Sequence, residues 1–161
     1  DGELLYQIIS QRPDYSFVFT GPEDDGFRQH RIHSLKNAYF TGQKKVDELP
    51  AYITAYDVCI NPQMVNDITD GNYPLKIDEY LAMGKPTVAT STHTMRHIFA
   101  DHTHLATNPE EWLSAIDRAV TEADDKELAK QRIAFAETHS WGHSVKKIYG
   151  IIDNFLKEKA T

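Results

Sequence analysis

The chain has 161 residues, of which 40% are hydrophobic and 25% are charged, and its formal net charge is −7. This balance is typical of a globular domain rather than a disordered segment, and a chain of this length buries roughly 70% of its unfolded surface on folding. The negative charge argues against nucleic acid as the main partner. The sequence also has no apolar run long enough to span a membrane.

Strands and helices alternate in the predicted order of elements. The first half contains a helix at 3–11, strands at 16–20 and 37–41, a helix at 46–55 and a strand at 57–61. The second half contains a helix at 74–83, a strand at 87–89, a helical turn at 94–99, a strand at 103–107 and helices at 109–122, 125–138 and 144–157. The alternation predicts an α/β fold, in which helices cover both faces of a Rossmann-like parallel sheet. We expect one domain over residues 1–161, with a core that includes Tyr6, Phe17, Phe19, Trp112, Phe135 and Trp141.

The single cysteine bears on the cellular compartment. Cys59 lies inside the apolar run 58–60, which predicts a buried, inert thiol rather than a nucleophile or half of a disulfide. We therefore expect a reducing compartment, the cytoplasm. Since the chain begins with Asp1 rather than methionine, we also expect a processed or excised piece of a longer protein.

The most informative stretch is residues 74–86, Pro-Leu-Lys-Ile-Asp-Glu-Tyr-Leu-Ala-Met-Gly-Lys-Pro. Pro74 suits the first position of a helix, where its missing N–H is not needed. Gly84 suits the left-handed residue that ends a helix, and Pro86 prevents the helix from restarting. The polar loop 67–72 leads into the start of this helix, where unpaired N–H groups and the helix dipole favour an anion.

Two charged residues of this helix suggest a ligand. Lys76 and Glu79 are three positions apart and so share one face. A cation near the phosphate and a carboxylate one turn deeper suit a phosphorylated sugar, since the carboxylate can accept hydrogen bonds from a ribose diol. The alternative is an ordinary surface pair worth ~0.2–0.5 kcal/mol, with Tyr80 in the core and Lys85 exposed on a turn. Helix chemistry alone favours this alternative, whereas the fixed spacing of the whole run favours the ligand site.

The run resembles the donor-binding motif of GT-B glycosyltransferases, particularly family 4, with the pattern Pro-x-Lys-x-x-Glu-Tyr-x-Ala-x-Gly-Lys-Pro. The matching positions are Pro74, Lys76, Glu79, Tyr80, Ala82, Gly84, Lys85 and Pro86. The resemblance implies that Glu79 binds the ribose hydroxyls of a nucleotide-sugar. Many members carry a second glutamate eight residues earlier, which touches the donor sugar. This chain departs from the pattern there, with Gly71 at that position and Asp70 before it.

The resemblance also implies the remaining parts of a donor site. Backbone N–H groups of Asn72, Tyr73 and Leu75, together with Lys76, would hold the diphosphate, and residues 41–44 would border the base. The expected ligand-binding set is therefore Gly42, Gln43, Lys44, Gly71, Asn72, Tyr73, Pro74, Leu75, Lys76 and Glu79. The family retains anomeric configuration and needs no metal, which implies electrostatic stabilisation of the departing phosphate rather than a protein nucleophile. The substrate would be a UDP- or GDP-linked sugar without a further cofactor, and catalytic residues are unassigned.

The resemblance extends over about residues 3–155 and corresponds to the C-terminal half of a GT-B enzyme without its opening strand. Residues 140–141 and the helix after them resemble the tail that crosses back to the N-terminal domain. That acceptor-binding domain is expected to be missing, so this piece alone should transfer no sugar. The implied function is transfer of a sugar to a glycan or lipid-linked acceptor in bacterial surface polysaccharide synthesis.

Three alternatives remain open. The basic stretch 26–46 is either a solvated loop or a cationic rim beside the diphosphate or against anionic lipids at the inner membrane face. Histidines four apart, at 93/97 and 139/143, have the spacing of zinc ligands, but we interpret them as incidental surface residues because no cysteine or third ligand accompanies them. A non-catalytic α/β module that binds a nucleotide or a partner is the second functional hypothesis. A phosphoacceptor receiver is a weaker form of it, because the third strand ends in Asn61 rather than aspartate.

Overall fold

The computed structural model describes residues 1–159, so the last two residues of the predicted domain lie outside the described residues. The first elements are α1 (Gly2–Ser10), β1 (Phe17–Thr20), α2 (Asp25–Arg28), a 3-10 helix (Arg31–Ser34), β2 (Ala38–Gly42), α3 (Leu49–Ala55) and β3 (Cys59–Asn61). They are followed by α4 (Leu75–Ala82), β4 (Thr87–Thr90), a π-helical segment (Met95–Phe99), β5 (His104–Ala106), α5 (Pro109–Thr121), α6 (Lys126–Thr138) and α7 (Trp141–Lys159). Each predicted helix and strand is confirmed in type, with ends that differ by a few residues.

The short helices between β1 and β2 were not predicted. Four-residue helices are too short to show an apolar period, and α2 forms because the side chain of Asp24 accepts a hydrogen bond from the Phe27 N–H at 2.7 Å. Asp24 is therefore the N-cap of a short helix.

The strands are all parallel, which confirms the α/β prediction, but their hydrogen bonds form two groups rather than one sheet. β1 pairs with β2, and β4 lies between β3 and β5. In the first group Phe17 is opposite Ala38, and in the second Cys59 is opposite Thr87. Within the described residues no backbone hydrogen bond joins β1 to β3. The two groups nevertheless share one core, because residues of β1, β4 and β5 pack in the same cluster as α1 and α5.

Helices cover both faces of the three-stranded group. Neighbouring residues of a strand point to opposite faces, and Val88 and Ala89 of β4 belong to different buried clusters. Val88 packs in the cluster of α1 and α5, which contains the fully buried Trp112. Ala89 packs in the cluster of α4, the π-helical segment and α6. The parallel sheet with helices on both faces is therefore present here.

The end of α4 has the predicted form. Gly84 has a φ of +72°, and the N–H groups of Gly84 and Lys85 donate to the carbonyls of Leu81 and Tyr80 at 2.8 and 3.0 Å. This pair of bonds is the Schellman arrangement that satisfies the last carbonyls of a helix. A Cβ at this glycine would also lie 3.0 Å from the Cβ of Ala129 in α6. Both the backbone conformation and the close approach of α6 therefore require glycine.

A buried ion cluster fixes α6 against the rest of the domain. Arg132 is 5% exposed, and its guanidinium pairs with Glu122 and reaches the carbonyl of Gly84 at 3.5 Å. The other oxygen of Glu122 is 2.9 Å from Nε2 of His104 in β5. The cluster therefore ties α6 to the end of α5, to β5 and to the turn after α4.

The prediction that Trp141 belongs to the core is wrong, because this residue is 85% exposed. It starts α7, which begins at residue 141 because the hydroxyl of Ser140 accepts a hydrogen bond from the His143 N–H at 3.3 Å. The apolar residues along α7 are exposed; they are Val145, Ile148, Tyr149, Ile151, Ile152, Phe155 and Leu156. None of the helices in the described part of the chain has the length and apolar character needed to cross a membrane.

Candidate functional site

The loops that follow β3 and β4 are joined at the carboxyl ends of these strands. The backbone N–H of Gln63 donates to Oγ1 of Thr90 at 2.9 Å. Asp70 makes the second connection, because its Oδ1 accepts from the His93 N–H at 2.7 Å and its carbonyl from the Thr94 N–H at 3.3 Å. Ligands of parallel α/β sheets bind at this edge. The loop between β3 and α4 is thus held in place at the expected position of a site.

This loop also folds on itself. Oδ1 of Asn66 accepts hydrogen bonds from the N–H groups of Ile68 and Thr69, both at 3.0 Å. The hydroxyl of Thr69 accepts from the Asn66 N–H at 2.9 Å. Side chains that bond nearby backbone groups stabilise a turn, so the loop leading to α4 is a built structure.

The start of α4 offers unpaired N–H groups. Pro74 is the residue before the first helical position, one place earlier than predicted, and no side chain caps the helix. Within the described residues, the backbone N–H groups of Tyr73 and Leu75 donate to no recorded acceptor, whereas that of Asn72 reaches the carbonyl of Thr69 at 3.3 Å. Two of the three N–H groups expected to bind a diphosphate are therefore free to do so.

Lys76 and Glu79 are exposed beside these N–H groups. Their side chains form no ion pair or hydrogen bond with each other or with any described residue. The surface-pair alternative is therefore not what the structure contains. The buried Ile77 and Leu81 hold the opposite face of α4 against the core, so both charged groups stand on a fixed helix and can receive a ligand.

Two other residues of the motif have structural roles. Nζ of Lys85 donates to the carbonyls of Thr54 and Tyr56 at 2.8 and 2.6 Å, which caps the end of α3 rather than leaving an exposed lysine on a turn. Tyr80 packs against the α4–α6 cluster, and burial raises the pKa of its hydroxyl. Cys59 is buried, as predicted, and this burial raises the pKa of its thiol to about 12.

The residues expected near the base lie at the end of β2, in the other group of strands. Gly42 ends β2 with a φ of +71°, and its carbonyl accepts from the Gly21 N–H at 3.1 Å. Nζ of Lys44 donates to the carbonyl of Thr41 at 2.7 Å, and Gln43 is exposed. No hydrogen bond or ion pair among the described residues joins 42–44 to the α4 loop. The predicted base contacts therefore remain a prediction.

Part of the positive charge in the basic stretch 26–46 is paired with nearby acids. Arg28 lies 3.6 Å from Asp25, Arg31 pairs with Glu3, and Nε2 of His33 lies 2.9 Å from Glu23. Two of the five lysines and arginines in the stretch are thus paired, whereas Lys36, Lys44 and Lys45 form no ion pair with a described residue, and the cationic rim stays a prediction.

An open cleft of about 680 Å³ borders the α4 loop and is lined by Val65, Asn66, Asp67, Asp70, Gly71 and His93. A Cβ at Gly71 would meet no atom within 4 Å, and the φ of this glycine is not positive. Position 71, at which many family members carry a glutamate, could thus hold a larger side chain without strain. The backbone conformation therefore does not explain why this chain has glycine there instead of a second carboxylate.

The structure also contains a contact that sequence reasoning missed. Oδ2 of Asp78 accepts from the hydroxyl of Tyr73 at 2.7 Å, and Oδ1 lies 3.0 Å from Nδ1 of His139 at the end of α6. His139 is therefore not an incidental surface histidine. His93 and His97 stack their rings at 4.0 Å, and no group of three or more metal-binding side chains is found within the described residues. The only local sign of the contact is an acid in the first turn of the motif helix, since its partner is 61 positions away.

Comparison with known proteins places the chain in a class. The family described as "Glycosyl transferases group 1" matches residues 3–122. This range covers most of the chain and includes α4 and the loop before it. The chain therefore belongs to the group 1 glycosyltransferase family, as its GT-B motif suggested.

A particular relative is a Bacillus subtilis (strain 168) protein named as a teichuronic acid biosynthesis glycosyltransferase, TuaH. It is 26% identical over 155 residues, which are 92% of this chain. The chain spans only 38% of the length of that relative.

Proposed function

We propose that this chain is the donor-binding part of a glycosyltransferase and that it holds a nucleotide-diphosphate sugar at the start of α4. The diphosphate would accept hydrogen bonds from the free N–H groups of Tyr73 and Leu75, with Lys76 as the cation. Glu79, one turn deeper, would accept from the two ribose hydroxyls. The observation that carries this proposal is the exposed, unpaired Lys76 and Glu79 beside an uncapped helix start, in a chain of this family.

The proposed chemistry is electrostatic. A helix start and a lysine stabilise the charge that develops on a departing nucleoside diphosphate, so no protein nucleophile is needed. We propose, on the resemblance to the family, that anomeric configuration is retained and that neither a metal nor a further cofactor takes part. The base would be uracil or guanine and would lie against Gly42, Gln43 and Lys44.

We further propose that the complete enzyme supplies an opening strand and an acceptor-binding N-terminal domain. In support, β1 and β3 each have an unpaired side in the described strand order although they contribute to one core, and a parallel strand of the complete enzyme would pair there. The shorter span relative to the Bacillus subtilis protein also supports this proposal.

The name of that relative supports a role in surface polysaccharide synthesis, with a glycan or lipid-linked acceptor. The buried thiol of Cys59 is consistent with a cytoplasmic location. Peripheral contact with an anionic membrane surface would rely on Lys36 and Lys45, the exposed lysines of the basic stretch that lack ion pairs among the described residues.

Calorimetric titration of the purified chain with UDP and with GDP tests the proposal. Binding of either nucleotide in the micromolar to millimolar range supports a donor site. Absence of binding by a chain that melts cooperatively would contradict it and would favour the non-catalytic partner-binding module.

A further inference from the structure

One carboxylate connects the proposed donor loop to the far end of α6. Asp78 faces α6 from the first turn of α4, and its two oxygens contact different elements. Oδ2 accepts from the hydroxyl of Tyr73 at 2.7 Å, and Oδ1 accepts from Nδ1 of His139 at 3.0 Å. The side chains of Asp78 and His139 are 20% and 25% exposed, so the bond between them is partly shielded from water, whereas Tyr73 is 36% exposed.

Aromatic packing fixes both partners of Asp78. The ring of Tyr73 lies 5.4 Å from that of Phe99 in the π-helical segment. The ring of His139 lies 4.4 Å from Phe135, edge to face, and 5.8 Å from Phe99. Burial, followed by the bond to Asp78, raises the pKa of Tyr73, so its hydroxyl stays protonated and remains a donor. Such packing limits the positions that the loop can take.

The donor loop is consequently held on both sides of its exposed tip. Asp70 is held by the His93 N–H, and Tyr73 is held by Asp78. Gly71 and Asn72, which lie between these anchors, are exposed. The N–H groups proposed to bind the diphosphate belong to Tyr73, the second anchor, and to Leu75 two positions later, so the position of Tyr73 determines where they point.

We propose that Asp78 is a positioning residue of the donor site. Its hydrogen bond to Tyr73 orders the loop, and its hydrogen bond to His139 holds the Asp78 side chain in place. The inference rests on the proposed function. A loop that is already in its binding conformation loses less conformational entropy when a ligand binds. Loss of either hydrogen bond should therefore weaken nucleotide binding although neither Tyr73 nor His139 contacts the charged groups of the ligand through its side chain.

The test compares Tyr73→Phe and His139→Ala with wild type by calorimetric titration with UDP and GDP, each variant accompanied by a thermal melt. Each substitution should weaken binding about three- to tenfold, the range expected for one neutral or charge-assisted hydrogen bond. His139→Asn should restore affinity, because its amide N–H can donate from nearly the position of Nδ1. His102→Ala is the matched control, since His102 stacks on the same Phe135 at 4.0 Å but does not contact Asp78.

The outcomes distinguish the proposed donor site from the positioning role of Asp78. If the wild-type chain binds a nucleotide and Tyr73→Phe and His139→Ala bind it with the same affinity, the positioning role is overturned and the donor site is not. An equal loss in His102→Ala, or no recovery in His139→Asn, would also overturn it, because a general loss of packing would then explain the effect. If the wild-type chain binds neither nucleotide, the proposed function fails and the positioning role fails with it.

Discussion

At the scale of single residues, the motif divides into exposed, unpaired positions and structural positions. Lys76 and Glu79 are exposed and unpaired, whereas Lys85 caps α3 and Tyr80 packs in the core. A match to a family motif therefore does not make every matching residue a binding residue. Gly84 is part of the same run and is required by its left-handed backbone and the contact with α6.

Glu79 gives the clearest residue-scale prediction. Glu79→Ala should weaken nucleoside diphosphate binding about tenfold to a hundredfold, since it removes charge-assisted hydrogen bonds worth ~1.5–3 kcal/mol each before water compensates. The free energy of unfolding should change by less than ~0.5 kcal/mol, because the position is exposed and alanine favours helix. Calorimetric titration measures the affinity, and a thermal melt measures the stability. Glu127→Ala, an exposed helix glutamate in α6, is the control, and equal affinity in both variants would return Glu79 to a structural role.

The two glycines of this region should respond differently to alanine. Gly84→Ala should destabilise the fold by about 1–3 kcal/mol, because its backbone is left-handed and the new Cβ would crowd Ala129. Gly71→Ala should leave stability unchanged, since its surroundings are open. Denaturant unfolding of both variants measures the difference. A stable Gly84→Ala protein would show that the turn after α4 adapts more easily than its geometry indicates.

At the scale of elements, ion pairs of different burial connect helices that are distant in sequence. Arg132 and Glu122 join α6 to α5 in the interior, whereas Arg12 and Asp117 join α1 to α5 near the surface. Burial decides how much each pair should matter, because water screens an exposed charge.

The buried pair should be important for stability. Arg132→Met should lower the free energy of unfolding by about 2–3 kcal/mol, since it leaves the Glu122 carboxylate in a mostly shielded position without its guanidinium partner, in contact only with His104 Nε2. Lys130→Met in the same helix removes an exposed pair and should cost less than ~0.5 kcal/mol. Urea unfolding compares the two variants. Similar midpoints would mean that the cluster adds little beyond packing.

The surface pair should make stability depend on pH in the acid range. The hydrogen bond from Arg12 lowers the pKa of Asp117 in the folded protein. A lowered carboxyl pKa adds stability above the unfolded value of about 3.9, and this contribution is lost as pH falls through the folded pKa. Because Asp117 is 42% exposed, we expect Arg12→Met to cost only about 0.5–1 kcal/mol at pH 7, and this cost should disappear as pH falls through the lowered pKa of Asp117 in the folded protein. Melts of wild type and Arg12→Met across this range test the sign, with Arg28→Met as the exposed control.

At the scale of the whole molecule, the domain has open surfaces. β1 and β3 contribute to one described core without pairing, and the apolar stripe of α7 is exposed.

A GT-B site is assembled between two domains, so we expect the 161-residue chain to bind donor without transferring sugar. Release of nucleoside diphosphate from a donor sugar should stay at the hydrolysis background. Transfer by the isolated chain to a glycan acceptor would show that no second domain is needed.

The order of elements could be predicted because its signals are local. Proline and glycine mark the ends of α4, and apolar spacing marks α5 and β4. The division of the strands could not be predicted, because pairing depends on neighbours that are distant in sequence. For the same reason the bonds from Lys85 to α3 and from His139 to Asp78 were missed. Trp141 was misplaced because apolar periodicity alone does not say whether a helix face has a partner within the domain.

The most direct test of the account is a titration of the isotope-labelled chain with UDP and GDP, followed by amide chemical shifts. The account predicts saturable shifts in residues 71–79, centred on the start of α4, and their loss in Glu79→Ala at the same nucleotide concentration. Shifts confined to another surface, such as the cleft beside Arg12 and Asp117, would contradict it. So would a folded chain whose spectrum neither nucleotide changes.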